Sequence, residues 1–290
     1  MDVGRYAPSP TGDLHLGNAR TALLAWLWER HAGGRFLLRF EDLDAARVRP
    51  GCAQEQAGSL AWLGLDWDGE PVWQSQRIAL YEAALETLRQ RGALYECFCS
   101  RADVRRAASA PHGPDGPLYS GRCRELGDRD RAEQRSLGRT ASLRVRLDGP
   151  SGDIVVRRGD GVIAYQLAVV VDDADQGVTR VVRGADLEDS TGRQLELYRL
   201  LSLEPAPRYA HVPLLLGADG ERLAKRHGAV GLAELRAQGA DPRALVGWLA
   251  HSAGLLDAAR PCTPAELVAS FDPALLPHAP TRIEPGELRW

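Results

Sequence analysis

Lysine is nearly absent from this sequence. Of its 36 basic residues, 35 are arginine and only Lys225 is lysine. Lys225 lies in the stretch "ERLAKRHG", residues 221–228. A lysine ammonium is a compact charge on a flexible stem, whereas a guanidinium is a planar fork, so the two are not interchangeable at a site that uses either geometry. The one position that retains lysine is therefore a candidate for a specific role.

Long apolar runs are also absent. Stretches such as "TALLAWLW" (21–28) and "LAVVV" (167–171) are far shorter than the roughly 20 residues of a membrane-spanning helix. The N-terminal "MDVGRYAPSP" has no basic segment followed by an apolar one, so we expect no signal peptide and a cytoplasmic protein without a membrane partner. We found no internal repeat and no low-complexity segment.

An excess of positive charge is missing as well, because the formal net charge is −3. A nucleic acid would therefore have to bind at local patches. The candidates are "RADVRRA" (101–107), "RVR" (144–146) and "RR" (157–158). Each is more typical of a solvated face than of a binding site. The "RGD" at 158–160 is interpreted as part of a turn and not as an adhesion signal.

The order of elements predicts an α/β fold with a parallel sheet. Residues 3–6 form a predicted strand, 7–18 a loop, 19–34 a helix and 35–44 a buried strand that runs into acidic residues. Strand, helix and strand within about 40 residues indicate a βαβ unit. Further predicted elements are helices at 51–63, 75–91, 165–175 and 188–202, a hairpin at 153–165, a strand at 178–183, and helices from 230 onwards.

Changes in amino-acid composition along the chain predict the domains. Cysteine, glycine, proline and arginine replace apolar helices between about 96 and 160, which indicates an inserted subdomain. We predict an α/β catalytic domain in two halves, 1–95 and 161–205, interrupted by the insertion 96–160. Residues 206–290 are predicted to hold the lysine loop and a small helical domain.

The loop after the first strand is a candidate phosphate-binding site. Parallel sheets bind nucleotides at the carboxyl ends of their strands, with phosphates near a helix N-terminus. Gly12 and Gly17 allow close approach of a phosphate, and His15 and Asn18 can donate hydrogen bonds. The alternative is an ordinary capped helix with a surface histidine, because the "HLGN" motif alone is weak.

Three motifs in this order make the site specific: "RYAPSPTGDLHLGN", "RFEDLD" (39–44) and "RLAKR" (222–226). Together they resemble class I aminoacyl-tRNA synthetases of the glutamyl branch, over most of residues 3 to about 256. The resemblance implies a Rossmann-type catalytic domain. "HLGN" stands at that class's HIGH signature and "RLAKR" at its KMSKS signature. Ala224 replaces the usual serine and Asn18 the second histidine, which puts the reaction rate in doubt.

The resemblance also implies the substrates and the residues that bind them. His15 and Lys225 are the expected catalytic residues, and they bind ATP, carried with Mg²⁺, together with Gly17 and Asn18. The expected L-glutamate site comprises Arg5, Tyr6, Ala7, Pro8, Ser9, Glu41, Tyr165 and Arg183. Arg5 and Arg183 are assigned to the carboxylates, because arginine pairs with a carboxylate in bidentate fashion. Glu41 and Tyr165 are assigned to the ammonium end.

Three clustered cysteines suggest a structural zinc. Cys97, Cys99 and Cys123 supply three thiolates, and zinc requires four ligands. His112 is the conventional fourth candidate, but a short glutamyl-synthetase-like branch carries C-x-C and then Y-x-x-x-C, which matches Tyr119. That resemblance favours Tyr119. The alternative is three reduced cysteines without metal. Cys52 and Cys262 are interpreted as buried small hydrophobes.

Length separates two versions of the glutamyl branch. Full-length glutamyl-tRNA synthetases continue into an anticodon-binding domain, whereas this sequence has 290 residues and ends about 65 residues beyond Lys225. The nearer resemblance is to the short branch. That resemblance implies formation of glutamyl-adenylate without tRNA and transfer of glutamate to the queuosine base at the wobble position of tRNA(Asp). The expected RNA partner is the queuosine-bearing anticodon stem-loop, bound by a monomer.

Three rival functions stay open on sequence alone. The nearest is a compact glutamyl-tRNA synthetase that charges a tRNA 3′ end. Another is a different HxGH-type ligase, such as a pantoate-activating enzyme, but it would lack "RFEDLD". The third is a tRNA-binding protein that has lost catalysis, against which His15 and Lys225 argue.

Overall fold

A computed structural model describes residues 1–100, 102–104, 119–148, 152–217, 219–221, 231–277 and 279–283. The chain divides into two compact units. The first comprises Met1–Trp73, Val178–Ala185 and Pro207–Trp290, and the second Gln74–Gly177 and Asp186–Ala206. The domain boundaries given above stay a prediction. Among the described residues, no helix is long and apolar enough to cross a membrane.

The strands described are, in chain order, β1 (Val3–Tyr6), β2 (Arg35–Phe40), β3 (Val72–Trp73), β4 (Leu94–Cys97), β5 (Ser142–Val145), β6 (Ile154–Arg157), β7 (Arg180–Gly184), β8 (Arg208–Val212), β9 (Leu215–Leu216) and β10 (Thr281–Arg282). The helices described are α1 (Leu16–His31), α2 (Cys52–Trp62), α3 (Ile78–Gln90), α4 (Asp128–Ser136), α5 (Tyr165–Asp175), α6 (Ser190–Leu201), α7 (Leu232–Ala237), α8 (Pro242–Ser252) and α9 (Pro264–Val268).

The parallel sheet of the first unit confirms the predicted βαβ unit. Strands β1, β2 and β3 pair in parallel, and so do β7 and β8. Strand β7 lies beside β1, where the Thr179 amide donates to the Val3 carbonyl at 2.8 Å. Parallel strands place their carboxyl ends at one edge. The segments that follow β1, β2 and β7 therefore lie at that edge.

Helix α1 is buried on nearly all sides, which explains its apolar run. Leu16, Leu23, Leu24 and Leu27 are all at most 1% exposed. The helix packs against β1, β2 and β7 and also against α8 and α9. A helix without a polar face is typical of such a central position. The C-terminal helices thus share a core with the sheet, and a separate helical domain stays a prediction.

The buried Asp172 holds the helices of the second unit together. It lies on α5 with no exposed surface and accepts hydrogen bonds from Gln74 at 2.8 Å, Arg77 at 2.7 Å and Tyr81 at 2.9 Å. A buried carboxylate is tolerated when donors and a cation surround it. Asp172 therefore ties α5 to α3 and to the segment before α3.

The antiparallel strands β4, β5 and β6 form the sheet of the second unit. The predicted hairpin is only partly correct. Its turn exists, since the Arg158 amide donates to the Val162 carbonyl at 2.8 Å and Gly161 has a φ of 88°. The return strand, however, is a single bridge at Ile163, because α5 begins at Tyr165.

Candidate active site and cysteine cluster

His15 is the N-cap of α1, at the carboxyl edge of the parallel sheet. Its imidazole Nδ1 accepts the Asn18 backbone N–H at 3.3 Å, and its own N–H donates to Asn18 Oδ1 at 3.2 Å. The two residues thus form a reciprocal capping box. Because Nδ1 is an acceptor, the neutral ring carries its proton on Nε2. His15 can therefore donate from Nε2 beside a helix N-terminus.

The other two residues of the motif support this geometry. A Cβ at Gly17 would lie 3.0 Å from the His15 ring, so a side chain there would push the imidazole aside. Asn18 also forms a side-chain hydrogen bond with the hydroxyl of Tyr6, whose pKa is raised by burial. The asparagine that replaces the family's second histidine thus caps α1 and links it to β1.

Helix α2 holds the loop between β1 and α1 from the side. The Gln56 side chain, 1% exposed, donates to the carbonyls of Ser9 at 3.1 Å and Gly12 at 2.8 Å. The Cys52 thiol also donates to Gly12. The sequence analysis missed Gln56, because nothing in its local sequence signals a contact with a loop 44 positions away.

The residues predicted to bind glutamate in the first unit lie at the ends of β1 and β2. Arg5 is the penultimate residue of β1 and is 5% exposed. Glu41 follows β2, where its amide donates to the Pro8 carbonyl at 3.0 Å. Its carboxylate lies 3.7 Å from the guanidinium of Arg39, which has no exposed surface. Backbone and buried cation together fix the Glu41 carboxylate close to the loop after β1.

Arg183 is the penultimate residue of β7 and lies within a small cluster on the paired strands β7 and β8. Its side chain is buried, its Nε donates to His211 Nε2 at 3.3 Å, and its guanidinium lies over the Tyr209 ring at 4.8 Å. Tyr209 and His211 were not predicted as site residues. The alternation of ring side chains in "RYAH" (208–211), within β8, was the only signal that could have indicated them.

Tyr165 lies in the second unit. It is the first residue of α5 and is half-buried. Its predicted contact with the ammonium end of glutamate stays a prediction.

Lys225 lies outside the described residues, as do Ala224 and His112. The residues on either side of this segment are anchored. On the N-terminal side, the Gly217 amide donates to the Glu221 carbonyl at 2.8 Å. On the other side, Asp13 accepts the Ala233 amide at 3.0 Å, and a Cβ at Gly231 would lie 1.8 Å from Asp13 Oδ2. The described residues that follow the segment carrying Lys225 therefore contact Asp13, which lies two positions before His15 in the sequence.

The three predicted cysteines converge in the second unit. The Sγ atoms of Cys97, Cys99 and Cys123 all lie within 4.8 Å of one another, and those of Cys99 and Cys123 are 3.5 Å apart. Tyr119 joins them: its hydroxyl lies 3.4 Å from Cys97 Sγ and 3.8 Å from Cys99 Sγ. The Cys123 amide donates to the same hydroxyl at 2.7 Å.

These distances fit a tetrahedral zinc site. Zn–S bonds of about 2.3 Å place tetrahedral sulfurs roughly 3.8 Å apart, and an oxygen ligand slightly closer. Three cysteine sulfurs at these separations suit zinc, and the oxygen of Tyr119, an uncommon zinc ligand, lies in the same cluster. Burial opposes ionisation of Cys123, but hydrogen bonds from Tyr119, the Phe98 amide and the other thiols outweigh it and lower its pKa. Burial raises the pKa of Cys99 to about 12 in the absence of a cation.

The arginine-rich patches are largely engaged within the protein. Arg144 lies 3.9 Å from the Tyr119 ring centroid and Arg146 lies 4.9 Å from that of Tyr95, so both support the cysteine region. Arg157 pairs with Glu82, and Arg158 with Asp160. Most of residues 101–107 lie outside the described part of the chain.

Comparison with known proteins agrees with the motifs. The family model "tRNA synthetases class I (E and Q), catalytic domain" matches residues 3–157 and 148–290. A glutamyl-Q tRNA(Asp) synthetase from Nocardia farcinica is 56% identical, over 96% of this chain and 92% of that protein. A protein of the same name from Symbiobacterium thermophilum is 52% identical, over 98% of this chain and 96% of that protein.

A solved structure matches over nearly the same extent. It is a glutamate tRNA ligase from Elizabethkingia meningosepticum, described as in complex with its amino acid. It superposes with a TM-score of 0.79 at 26% identity, over 98% of this chain and 67% of that one. The chain belongs to the class I tRNA synthetases of the glutamate and glutamine type.

Proposed function

We propose that this chain activates glutamate with ATP and transfers it to the queuosine base at the wobble position of tRNA(Asp). The observation that carries this proposal is the 56% identity, over 96% of the chain, to a protein named glutamyl-Q tRNA(Asp) synthetase. The geometry adds support, since Arg5, His15 and Glu41 lie at or just after the carboxyl ends of the parallel strands β1 and β2. We further propose that adenylate formation needs no tRNA, and that the protein acts as a cytoplasmic monomer.

ATP would bind at the N-terminus of α1. His15 donates from Nε2 to a phosphate oxygen, while Gly17 leaves room for the phosphates and Asn18 keeps the imidazole in place. Lys225 would supply a positive charge on a lysine stem, and Mg²⁺ would accompany the ATP phosphates. Catalysis of this kind consists of positioning and of stabilising charge on phosphorus oxygens.

Glutamate would bind at the ends of β1, β2 and β7. Arg5 and Arg183 pair with its carboxylates, and Glu41 and Tyr165 receive its ammonium group, beside the backbone of residues 6–9. The α-carboxylate oxygen attacks the α-phosphorus, and the bond to the β-phosphate breaks with release of pyrophosphate. A hydroxyl of the queuosine cyclopentene diol then attacks the adenylate carbonyl, and AMP leaves. No described residue is required as a general base.

Zinc would be held by Cys97, Cys99, Cys123 and Tyr119. The support is the donor set, with all three sulfurs within 4.8 Å of one another and the phenol oxygen 3.4 Å from one of them. When bound, the ion would supply folding free energy to a region with little apolar content, and no reaction chemistry. The queuosine-bearing anticodon loop would be read in the mode typical of RNA loops, with bases splayed from the stack.

The decisive experiment measures ATP-dependent incorporation of labelled glutamate into three RNAs. These are tRNA(Asp) with queuosine, tRNA(Asp) without it, and tRNA(Glu). We expect label only on the queuosine-containing tRNA(Asp). Label on tRNA(Glu) that does not depend on queuosine would instead establish a compact charging synthetase. Absence of label from all three would refute the transfer step.

Lys225→Ala tests the activation step separately. We expect it to abolish glutamate-dependent ATP–pyrophosphate exchange, measured without tRNA, while the thermal unfolding midpoint stays unchanged. Glu221→Ala is the matched control, because Glu221 is exposed immediately before the same segment. Wild-type exchange in Lys225→Ala would show that this lysine does not bind the phosphates.

A further inference from the structure

The cluster around Arg183 contains two residues to which no role has been given. We propose that His211 and Tyr209 are positioning residues that hold the Arg183 guanidinium in the orientation in which it binds a carboxylate of glutamate. This inference rests on the proposed function and deepens it, because it names residues that determine affinity for the amino acid.

Strand register brings the three side chains together. In the parallel pair β7–β8, Arg183 is directly opposite His211. Side chains alternate along a strand, so Tyr209 and His211 lie on the same face of β8, and in-register Arg183 lies on that face of β7. The Tyr209 and His211 rings are nearly parallel, with an interplanar angle of 7° and centroids 6.4 Å apart. The strand pairing thus builds a flat aromatic support beside a buried guanidinium.

Two contacts of different kinds then fix the direction of the guanidinium. His211 Nε2 accepts the Nε–H of Arg183 at 3.3 Å, which sets the in-plane direction. Tyr209 lies against the flat face, with the guanidinium carbon 4.8 Å from the ring centroid, which sets the plane. With Nε directed at His211, the two terminal nitrogens form the edge whose fork geometry suits a carboxylate.

Neither ring is an anion in this arrangement, so these two contacts orient the Arg183 guanidinium without pairing its charge. A ring nitrogen that accepts a hydrogen bond is unprotonated, and His211 therefore carries its proton on Nδ1 in this arrangement. A protein carboxylate in place of either ring would compete with the substrate carboxylate for the guanidinium. Rings that orient the guanidinium do not compete in this way.

The test uses four variants. His211→Leu removes the acceptor at similar volume, and His211→Gln restores an acceptor oxygen. Tyr209→Leu removes the aromatic face, and Tyr209→Phe keeps it. The KM for glutamate and the kcat are measured in ATP–pyrophosphate exchange, without and with queuosine-containing tRNA(Asp). Thermal unfolding midpoints are measured on the same preparations.

We expect His211→Leu to raise the KM for glutamate about tenfold or more, with a much smaller change in kcat, because a hydrogen bond to a charged group is lost. His211→Gln should recover most of that loss. Tyr209→Phe should resemble the wild type, and Tyr209→Leu should raise the KM by a smaller factor than His211→Leu. The KM for ATP should stay unchanged in all four.

Several results would overturn the inference. One is a wild-type KM for glutamate in His211→Leu, and another is impairment of His211→Gln equal to that of His211→Leu. If His211→Leu does not fold, the Tyr209 pair decides, and equal KM values in Tyr209→Leu and Tyr209→Phe would contradict the inference. Glutamate-dependent exchange that is absent from the wild type, with and without tRNA, would overturn the proposed function itself and this inference with it.

Discussion

The loop after β1 and the cysteine cluster both present polar groups, but they rest on very different amounts of apolar structure. The loop leads into α1. Leu14 in the loop and Leu16 at the start of α1 belong to a core cluster that extends through the sheet and the C-terminal helices. Among the described residues, the buried members of the cysteine cluster are Tyr95, Cys97 and Cys123, with Cys99, Tyr119 and Leu126 packed against them. In the first region, an extensive apolar core holds the loop and the start of α1 in place. In the second, the candidate metal ligands themselves make up most of the described cluster.

The largest effect of a substitution is expected at the cysteines, where the described apolar cluster is smallest. On the proposed zinc site, Cys97→Ser should reduce the zinc content from about one ion per chain towards zero, and should destabilise β4–β6 by about 3 kcal/mol or more, because metal binding contributes folding free energy. Metal analysis gives the zinc content, and amide hydrogen exchange of residues 94–97 and 142–157 gives the local stability.

Cys52→Ser is the matched control for this measurement. Cys52 is a buried cysteine of the first unit that donates to the Gly12 carbonyl, and serine retains a donor. We expect it to leave the zinc content unchanged. Full zinc occupancy in Cys97→Ser, or unchanged exchange of β4 after chelation of the wild type, would contradict the dependence of this region on metal.

A second prediction asks whether the loop after β1 depends on anything beyond the apolar core. Gln56→Ala removes two hydrogen bonds to loop carbonyls and should lower kcat/KM for ATP about tenfold, which corresponds to about 1.4 kcal/mol. Steady-state pyrophosphate exchange measures it. Gln54→Ala is the control, because Gln54 is exposed on the same helix. Equal rates in the two variants would show that the core alone holds the loop.

Many of the helices and strands could be predicted from local sequence, whereas the contacts between distant segments could not. The helix at 165–175 is confirmed residue for residue as α5, and the helix predicted at 51–63 is α2, Cys52–Trp62. Each is encoded within a dozen neighbouring residues. The three cysteines were grouped by residue type alone, and the structure brings their sulfurs together.

Contacts between distant segments were beyond the sequence analysis. Gln56 reaches the loop after β1 across 44 positions, and Arg183 meets His211 across 28. Such pairs follow from strand register and helix packing, and no local pattern specifies either. The return strand of the predicted hairpin was wrong for a related reason. Residues 162–164 have the pattern of a strand, but α5 begins at Tyr165 and leaves room for a single bridge.

A smaller effect is expected at the helix cap. Asn18→Ala removes the side chain that accepts the His15 amide at 3.2 Å and that bonds to Tyr6, and should lower the free energy of unfolding by about 1 kcal/mol. Asn18→Asp keeps the acceptor and should lose less. Denaturant unfolding of the three proteins measures the difference. An equal loss in both variants would show that the bond to Tyr6, and not the cap, carries the contribution.

The smallest effect is expected on the pH dependence of stability, which should differ between the sheet of the first unit and the cysteine region. Burial opposes ionisation of Asp68, but the Phe36 amide at 2.8 Å and Arg30 at 2.7 Å outweigh it and lower its pKa. A carboxylate with a depressed pKa stabilises the fold above its unfolded pKa of about 3.9, and this contribution disappears as the pH falls through the folded value.

Asp68→Asn should therefore destabilise the protein at neutral pH, by less than about 1 kcal/mol because the side chain is partly exposed and screened. The difference from wild type should vanish at low pH, whereas Glu70→Gln, at an exposed carboxylate nearby, should show none at any pH. Zinc release in acid follows protonation of the thiolates and should not change in either variant. A pH-independent loss in Asp68→Asn would assign its role to the hydrogen-bond geometry alone. A shift in zinc release would show that the sheet and the cysteine region are not held independently.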